Sequence, residues 1–173
     1  MDGAFSDQLV ALLPKLRRFA RSLTGSAEEG DDVVQSACER ALERADQFQP
    51  GSRFDSWMYR IVQNVWIDRV RQKGRMELGV DPADLAQHPD GGASRLAEDK
   101  VALAQARRFI AKLPLEQREV LLLVSVEGLG YREAAEVLSV PVGTIMSRLS
   151  RARLALAKAV EGEKPRGAKA FGR

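Results

Sequence analysis

The sequence predicts an all-α chain of two small helical domains joined by a flexible linker. Three observations carry this. Apolar residues recur at helical spacing through both halves, and no segment shows the alternation of a strand bounded by hairpin turns. Residues 77–94 (ELGVDPADLAQHPDGGAS) hold two prolines, three glycines and several acids without a sustained apolar period. Residues 131–150 have the spacing of a helix-turn-helix. The expected division is 1–76, a linker at 77–94, 95–162, and a disordered tail at 163–173.

The first half reads as three helices. Leu9, Leu12, Leu13, Leu16, Phe19, Ala20 and Leu23 lie on one helical face, and Pro14 inside the run predicts a kink or a late start. Ser26 and Glu29 have capping-box spacing ahead of a second helix, with Val33, Val34, Ala37, Ala41 and Leu42 facing inward. Pro50-Gly51 breaks the chain and Ser52 is the expected cap of a third helix. Its core face is Phe54, Trp57, Met58, Ile61, Val62 and Val65. Trp66 falls off that face and reads as the more exposed of the two tryptophans, the alternative being that it packs against the first helix.

The second half begins with a helix from a Ser94 cap to about Leu113, ended by Pro114, because the residue before proline avoids helical geometry. Residues 115–126 are strongly apolar, with Gly128 as the stop. A short helix at Tyr131–Leu138, a turn at Ser139-Val140-Pro141 and a last helix from Val142 to about Val160 follow. Each half is small for an independent core, so modest stability is expected.

Composition excludes several classes. At 45% hydrophobic and 29% charged, the chain of 173 residues is neither wholly disordered nor a disulfide-stapled secreted mini-domain. No run approaches the roughly 18 apolar residues of a membrane span. Asp2 and Asp7 interrupt any signal-peptide pattern. The single cysteine, Cys38, has no partner and reads as a buried structural thiol, and one histidine, His88, cannot build a Cys/His metal site. The expectation is a cytoplasmic protein with no metal, no cofactor and no membrane contact of its own.

The net charge of +3 is sorted along the chain. Residues 77–99 hold one basic residue against six acids, whereas 142–158 hold four basic residues and no acid, and 60–75 hold five basic residues against Asp68 alone. Positive stripes on helices are what a phosphate-binding face needs, although a single stripe is more often a solvated surface. The helix-turn-helix tips this balance. Ala134 and Ala135 allow close helix approach, and Leu138, Val140, Ile145 and Leu149 fix the crossing angle. The second helix then presents Ser147, Arg148, Ser150, Arg151 and Arg153 to a major groove, with amides near Gly143 and Thr144 available to a phosphate.

The run Leu113–Leu156 (LPLEQREVLLLVSVEGLGYREAAEVLSVPVGTIMSRLSRARLAL) closely resembles region 4 of bacterial sigma factors of the extracytoplasmic-function class. RRFARSLTG (Arg17–Gly25), DDVVQSACERAL (Asp31–Leu42) and FDSWMYRIVQNVWIDRVRQ (Phe54–Gln72) resemble region 2 of the same class. The resemblance implies a region 2 bundle and a region 4 helix-turn-helix. It implies a non-enzymatic, stress-responsive factor that binds core RNA polymerase and promoter DNA and is held by an anti-sigma factor. Residue by residue, it carries polymerase binding to Asp32, Gln35, Glu39 and Arg40, and minus-ten reading to Arg60, Gln63, Asn64, Arg69 and Arg71. Capture of a flipped base falls to the loop from Gln47 to Arg53, with Trp57 nearby, though Trp57 more often serves as core. Minus-thirty-five reading falls to Ser147, Arg148, Ser150 and Arg151, with Thr144 and Arg153 on phosphates.

Three positions depart from the family pattern. Many members carry Lys or Arg where Met146 stands, which implies a lost phosphate contact or a changed base preference; methionine here is similar to the alphaproteobacterial general-stress subgroup. Many have glycine where Ser139 stands, so the serine tolerates a strained backbone or the turn differs. Many have a second acid where Ser36 stands, at the polymerase-facing surface.

Rival readings are a sigma-like decoy that binds an anti-sigma protein without promoter DNA, a plain helix-turn-helix regulator, and a small metal-dependent enzyme using Glu28, Glu29, Asp31 and Asp32. The basic last helix opposes the first. The region 2-like half is unexplained by the second. The four acids share no helical face with a histidine or a second acidic motif, and read instead as the negative first turns of a helix.

Overall fold

The structure, a computed structural model, describes residues 3–49, 51–76 and 97–163. The linker at 77–94, the Ser94 cap and the tail from 164 lie outside the described residues. Those residues form α1 (Gly3–Thr24), α2 (Ala27–Glu43), a 3-10 turn (Ala45–Gln47), α3 (Phe54–Met76), α4 (Ala97–Lys112), α5 (Leu115–Leu121), a π-helical turn (Leu122–Val126), α6 (Tyr131–Leu138) and α7 (Val142–Glu163), and no strand.

Helix α1 buries Leu9, Leu12, Leu16, Phe19, Ala20 and Leu23 along one stripe. It runs through Pro14 rather than starting after it. Pro14 is exposed, so the carbonyl it leaves without a donor faces water. Gly25, at φ 77°, closes the helix in the left-handed region. Ser26 then caps α2, its hydroxyl accepting from the Glu29 amide. The Glu29 carboxylate pairs with Lys73 of α3.

Helices α1 and α2 cross closely at Gly30. A Cβ there would lie 2.7 Å from both the Cα and the backbone nitrogen of Arg21. Val33, Val34, Ala37 and Ala41 are buried on α2, but Leu42 is 41% exposed, one position past the stripe. Ser52 does not cap α3, since its hydroxyl donates to the Gln49 carbonyl across the turn. Asp55 instead accepts from the Ser56 amide in the first turn.

Trp66 is 3% exposed, so this ring is packed and not the surface ring that its place off the core face favours. Its neighbours Tyr59, Val62, Gln63 and Val65 are buried too, so α3 is covered over a wider arc than an amphipathic surface helix would be. Trp57 is half-buried in a ring cluster, edge-on to Phe5 and tilted against Phe48 and Phe54. Cys38 is half-buried, and burial pushes its thiol up from the usual value.

In the second half, Pro114 separates α4 from α5 as expected. Arg118 occupies that corner and donates to the carbonyls of Ile110, Ala111 and Leu113 at the end of α4. It also donates to the Leu23 carbonyl at the end of α1, 2.7 Å away. Gly128, at φ 75°, ends the π-helical turn. Ser139 sits at φ 53°, ψ 44°, so the serine does adopt the left-handed conformation that the turn demands. Ala134, Ala135, Leu138, Ile145 and Leu149 are buried where α6 and α7 pack.

The two halves are not separate bodies. Buried apolar side chains from Leu9 to Ala152 form one cluster. Helix α1 packs on α4, α5 and the π-helical turn, and α3 packs on α6. The shortage of core in each half is made up by the other half.

Candidate nucleic-acid and polymerase interfaces

The last helix is built to project. Ile145, Leu149 and Ala152 face the core, Ser147, Ser150 and Arg151 are exposed on the outer side, and Met146 and Arg153 are exposed on its flank. The Ser147 hydroxyl donates to the Thr144 carbonyl, which ties it to the helix start. The Thr144 amide donates to the Pro141 carbonyl, 2.9 Å, so it is taken up by the turn. Arg148 lies apart from the others: it turns inward, is 19% exposed and pairs with Glu116 of α5 at 2.8 Å.

On α2, Asp32, Gln35 and Glu39 form an exposed polar stripe at helical spacing, with Gln35 donating to Glu39 at 3.2 Å. Arg40 leans back to Asp68 of α3, 2.9 Å. Arg69 of α3 reaches the other way, to the Asp32 carbonyl and the Ser36 hydroxyl. Ser36, where many family members have an acid, is therefore an acceptor that fixes α2 on α3.

The α3 candidates are split. Asn64 and Arg71 are exposed. Arg60 donates to the Glu136 carbonyl of α6. Gln63 is 5% exposed and hydrogen-bonds Glu119 of α5. Beside it, Gln63, Ile67, Val70 and Arg71 face Leu115, Glu116, Glu119, Leu138 and Arg148 across a cavity of about 320 Å³. The second half thus covers part of the face assigned to the minus-ten element.

Three further contacts close that arrangement, and none is visible in local spacing. Arg18 makes a bidentate pair with Glu127, and the buried Tyr59 hydroxyl donates to the same carboxylate at 2.7 Å. Burial first, and then the Glu127 carboxylate, hold the Tyr59 phenol well above its usual value. Arg53, at the end of the loop expected to capture a base, pairs with both Asp55 and Glu133. Glu133 also accepts from the Gly130 amide at 2.7 Å, so one carboxylate caps α6 and holds that loop. Glu119, 4% exposed, carries an oxygen with no partner, and burial pushes its carboxyl up to about 7. The acids Glu29 and Asp31, weighed as metal ligands, are instead paired with Lys73 and Arg21.

A helical first half with a polar α2 stripe and a basic α3, followed by a helix-turn-helix with an open basic face, is the architecture of a promoter-recognition factor. Residues 9–76 match Sigma-70 region 2 and residues 103–156 match Sigma-70 region 4. The chain is 36% identical over 153 residues to the ECF RNA polymerase sigma factor EcfG of Rhodopseudomonas palustris, covering 88% of this chain and 83% of that protein. Among solved structures it is similar to the sigma factor RpoE in complex with the anti-sigma factor NepR from Bartonella quintana. That match has a TM-score of 0.79 at 30% identity, covering 94% of this chain and all of that one. It is also similar to CnrH in complex with the cytosolic domain of CnrY, TM-score 0.68 at 26% identity over 92% of this chain and 89% of that one. The chain belongs to the extracytoplasmic-function sigma factors of bacterial RNA polymerase.

A TM-score of 0.79 over nearly the whole chain requires a similar placement of both halves as well as similar helices. Among the described residues no helix is long and apolar enough to cross a membrane.

Proposed function

We propose that this chain carries core RNA polymerase to promoters by displaying α3 to the minus-ten element and α7 to the minus-thirty-five element, and that the closed arrangement is its held state. The observation that carries this is the division of the basic faces. The outer face of α7 is open, while Arg60 and Gln63 of α3 are engaged by α6 and α5. A factor in this state presents the α7 surface in full and the α3 surface in part, and separation of the halves frees the rest.

The units that separate are drawn at 1–76 and 95–162, joined by 77–94, with 163–173 as a tail. Asp32, Gln35 and Glu39 meet the polymerase, with Arg40 at the edge of that surface. Arg60, Asn64 and Arg71, joined by Gln63 once the halves part, read the minus-ten element, with Arg69 held beside them on Asp32 and Ser36. Ser147, Ser150 and Arg151 read bases at the minus-thirty-five element, with Thr144 and Arg153 on phosphates; Arg148 joins them on release from Glu116. Both solved relatives were captured with anti-sigma partners. An anti-sigma protein that stabilises the closed form is therefore the partner that fits this chain. The factor acts in the cytoplasm, in a stress response, without catalysing a reaction of its own.

The test is reconstitution with core polymerase and a randomised promoter library. The expected result is co-migration with core enzyme and enrichment of a two-part promoter. Arg151→Ala weakens binding of that promoter by about 1–3 kcal/mol. DNA binding without association with core enzyme would overturn the reading and favour a plain helix-turn-helix regulator.

A further inference from the structure

Met146 has no role in the fold. It is 54% exposed on α7 and lies on the flank of the buried face, about 60° from Leu149 and about 100° from Ile145 at 3.6 residues per turn. At 100° per residue, Ser150 lies next to it on the outer arc, with Ser147 and Arg151 further round and Arg153 on its other flank. Arg151 and Arg153 are exposed near it and 142–158 hold no acid, so the surface around this thioether is complementary to DNA rather than to an apolar pocket. Gly143, one turn earlier on the same arc, has nothing within 4 Å of a would-be Cβ; packing does not require glycine there, and its lack of a side chain lets the groove approach Met146.

We propose that Met146 is a specificity-determining residue that packs its side chain on the 5-methyl group of one thymine in the minus-thirty-five element. In a major groove the thymine methyl is the apolar feature of the base edges, so it is the group an exposed unbranched thioether recognises. Serine hydroxyls and Arg151 supply the hydrogen bonds around it, and Met146 supplies discrimination that a hydrogen bond cannot. The side chain bends readily, so it seats on the methyl without demanding a fixed approach angle. This rests on the reading of α7 as the minus-thirty-five reader. Leu154 and Val160 are also exposed on α7, but they lie two and four turns further along, past the turns that carry the serines.

The experiment uses holoenzyme assembled from the full chain and core polymerase, with the promoter enriched from the randomised library. Each minus-thirty-five thymine on either strand is replaced in turn by deoxyuridine, which removes the methyl and nothing else. The expected result is one position at which wild-type holoenzyme loses about three- to fivefold in affinity, the size of one buried methyl group. At that position Met146→Ala brings the thymine-to-deoxyuridine ratio to about one, and Met146→Leu retains most of it. No sensitive thymine, or equal sensitivity in wild type and Met146→Ala, would overturn the proposal while leaving promoter selection intact. Loss of core-enzyme association in Met146→Ala would assign the side chain to a protein contact and overturn it as well. A wild-type holoenzyme that selects no promoter would instead remove the function beneath it.

Discussion

Arg18 of α1 and Glu127 at the end of the π-helical turn form a bidentate ion pair, with Nε and Nη2 at 3.1 and 2.7 Å from the two carboxylate oxygens. The Glu127 side chain is 1% exposed while Arg18 is half exposed, and Tyr59 donates to the same carboxylate from α3. One acidic side chain of the second half thus holds two helices of the first. Its position decides how firmly the reading face of α3 is covered.

Glu127→Ala is expected to loosen the closed form by about 1–3 kcal/mol. The exposed end of the ion pair is screened by solvent and contributes little. The larger part comes from the buried Tyr59 hydroxyl losing its acceptor. Tyr59→Phe should therefore cost less than Glu127→Ala, and the double variant less than the sum of the two. Energy transfer between dyes on the two halves reads the separation, with circular dichroism checking that helicity is kept. Unchanged transfer in Glu127→Ala would dismiss this contact as a clasp.

Closure should depend on pH through Glu119. Burial pushes its carboxyl up to about 7; the hydrogen bond from Gln63 and the charges of Arg148 and Arg118 pull the other way, and Glu116 adds to the rise. With the halves apart the carboxyl returns towards about 4.3. The closed form then binds more protons than the open one, so closure strengthens as pH falls through about 7 towards 4 and is weakest above 7. Glu119→Gln, always neutral, should stay closed across that range. The same transfer assay from about pH 5 to about pH 8 checks it, and parallel profiles for wild type and variant would refute it.

Gly30→Ala should destabilise the first half by about 1–3 kcal/mol or more, because the new methyl meets backbone atoms of Arg21 that cannot move alone. A urea unfolding midpoint measures this. Gly143→Ala, with open space around the added carbon, serves as the control and should leave folding almost unaltered.

Ser139→Gly should stabilise the helix-turn-helix by about 0.5–1 kcal/mol. The native φ of 53° costs serine strain that glycine does not pay. A higher thermal midpoint with unchanged promoter choice is expected. A lower midpoint would show that the serine side chain contributes more than its backbone costs.

Much of the fold was legible in local pattern. The bounds of α6, the break at Pro114 and the stop at Gly128 follow from periodicity, proline sterics and a left-handed glycine, all of which act within a few residues. The α2 polar stripe and the open face of α7 followed in the same way, since one buried face defines the opposite one. The burial of Trp66 and Gln63 is another matter: α3 meets α1 and α2 on one side and α6 on another, and no such contact leaves a trace in the spacing of α3 itself.

By itself, then, the sequence determined that the chain is helical, in two parts, with basic faces on α3 and α7, because helix periodicity and charge are local properties. The tertiary structure alone decided that the two parts close on each other, that Gln63 is buried and Arg60 tied to α6, and that Met146 and Arg151 stay open. Those outcomes depend on pairs such as Arg18 with Glu127, 109 residues apart, and on Arg118 with Leu23, 95 residues apart. Such pairs meet only when apolar surface left over from each small core is buried against the other, and that burial is set by shape in three dimensions rather than by spacing along the chain.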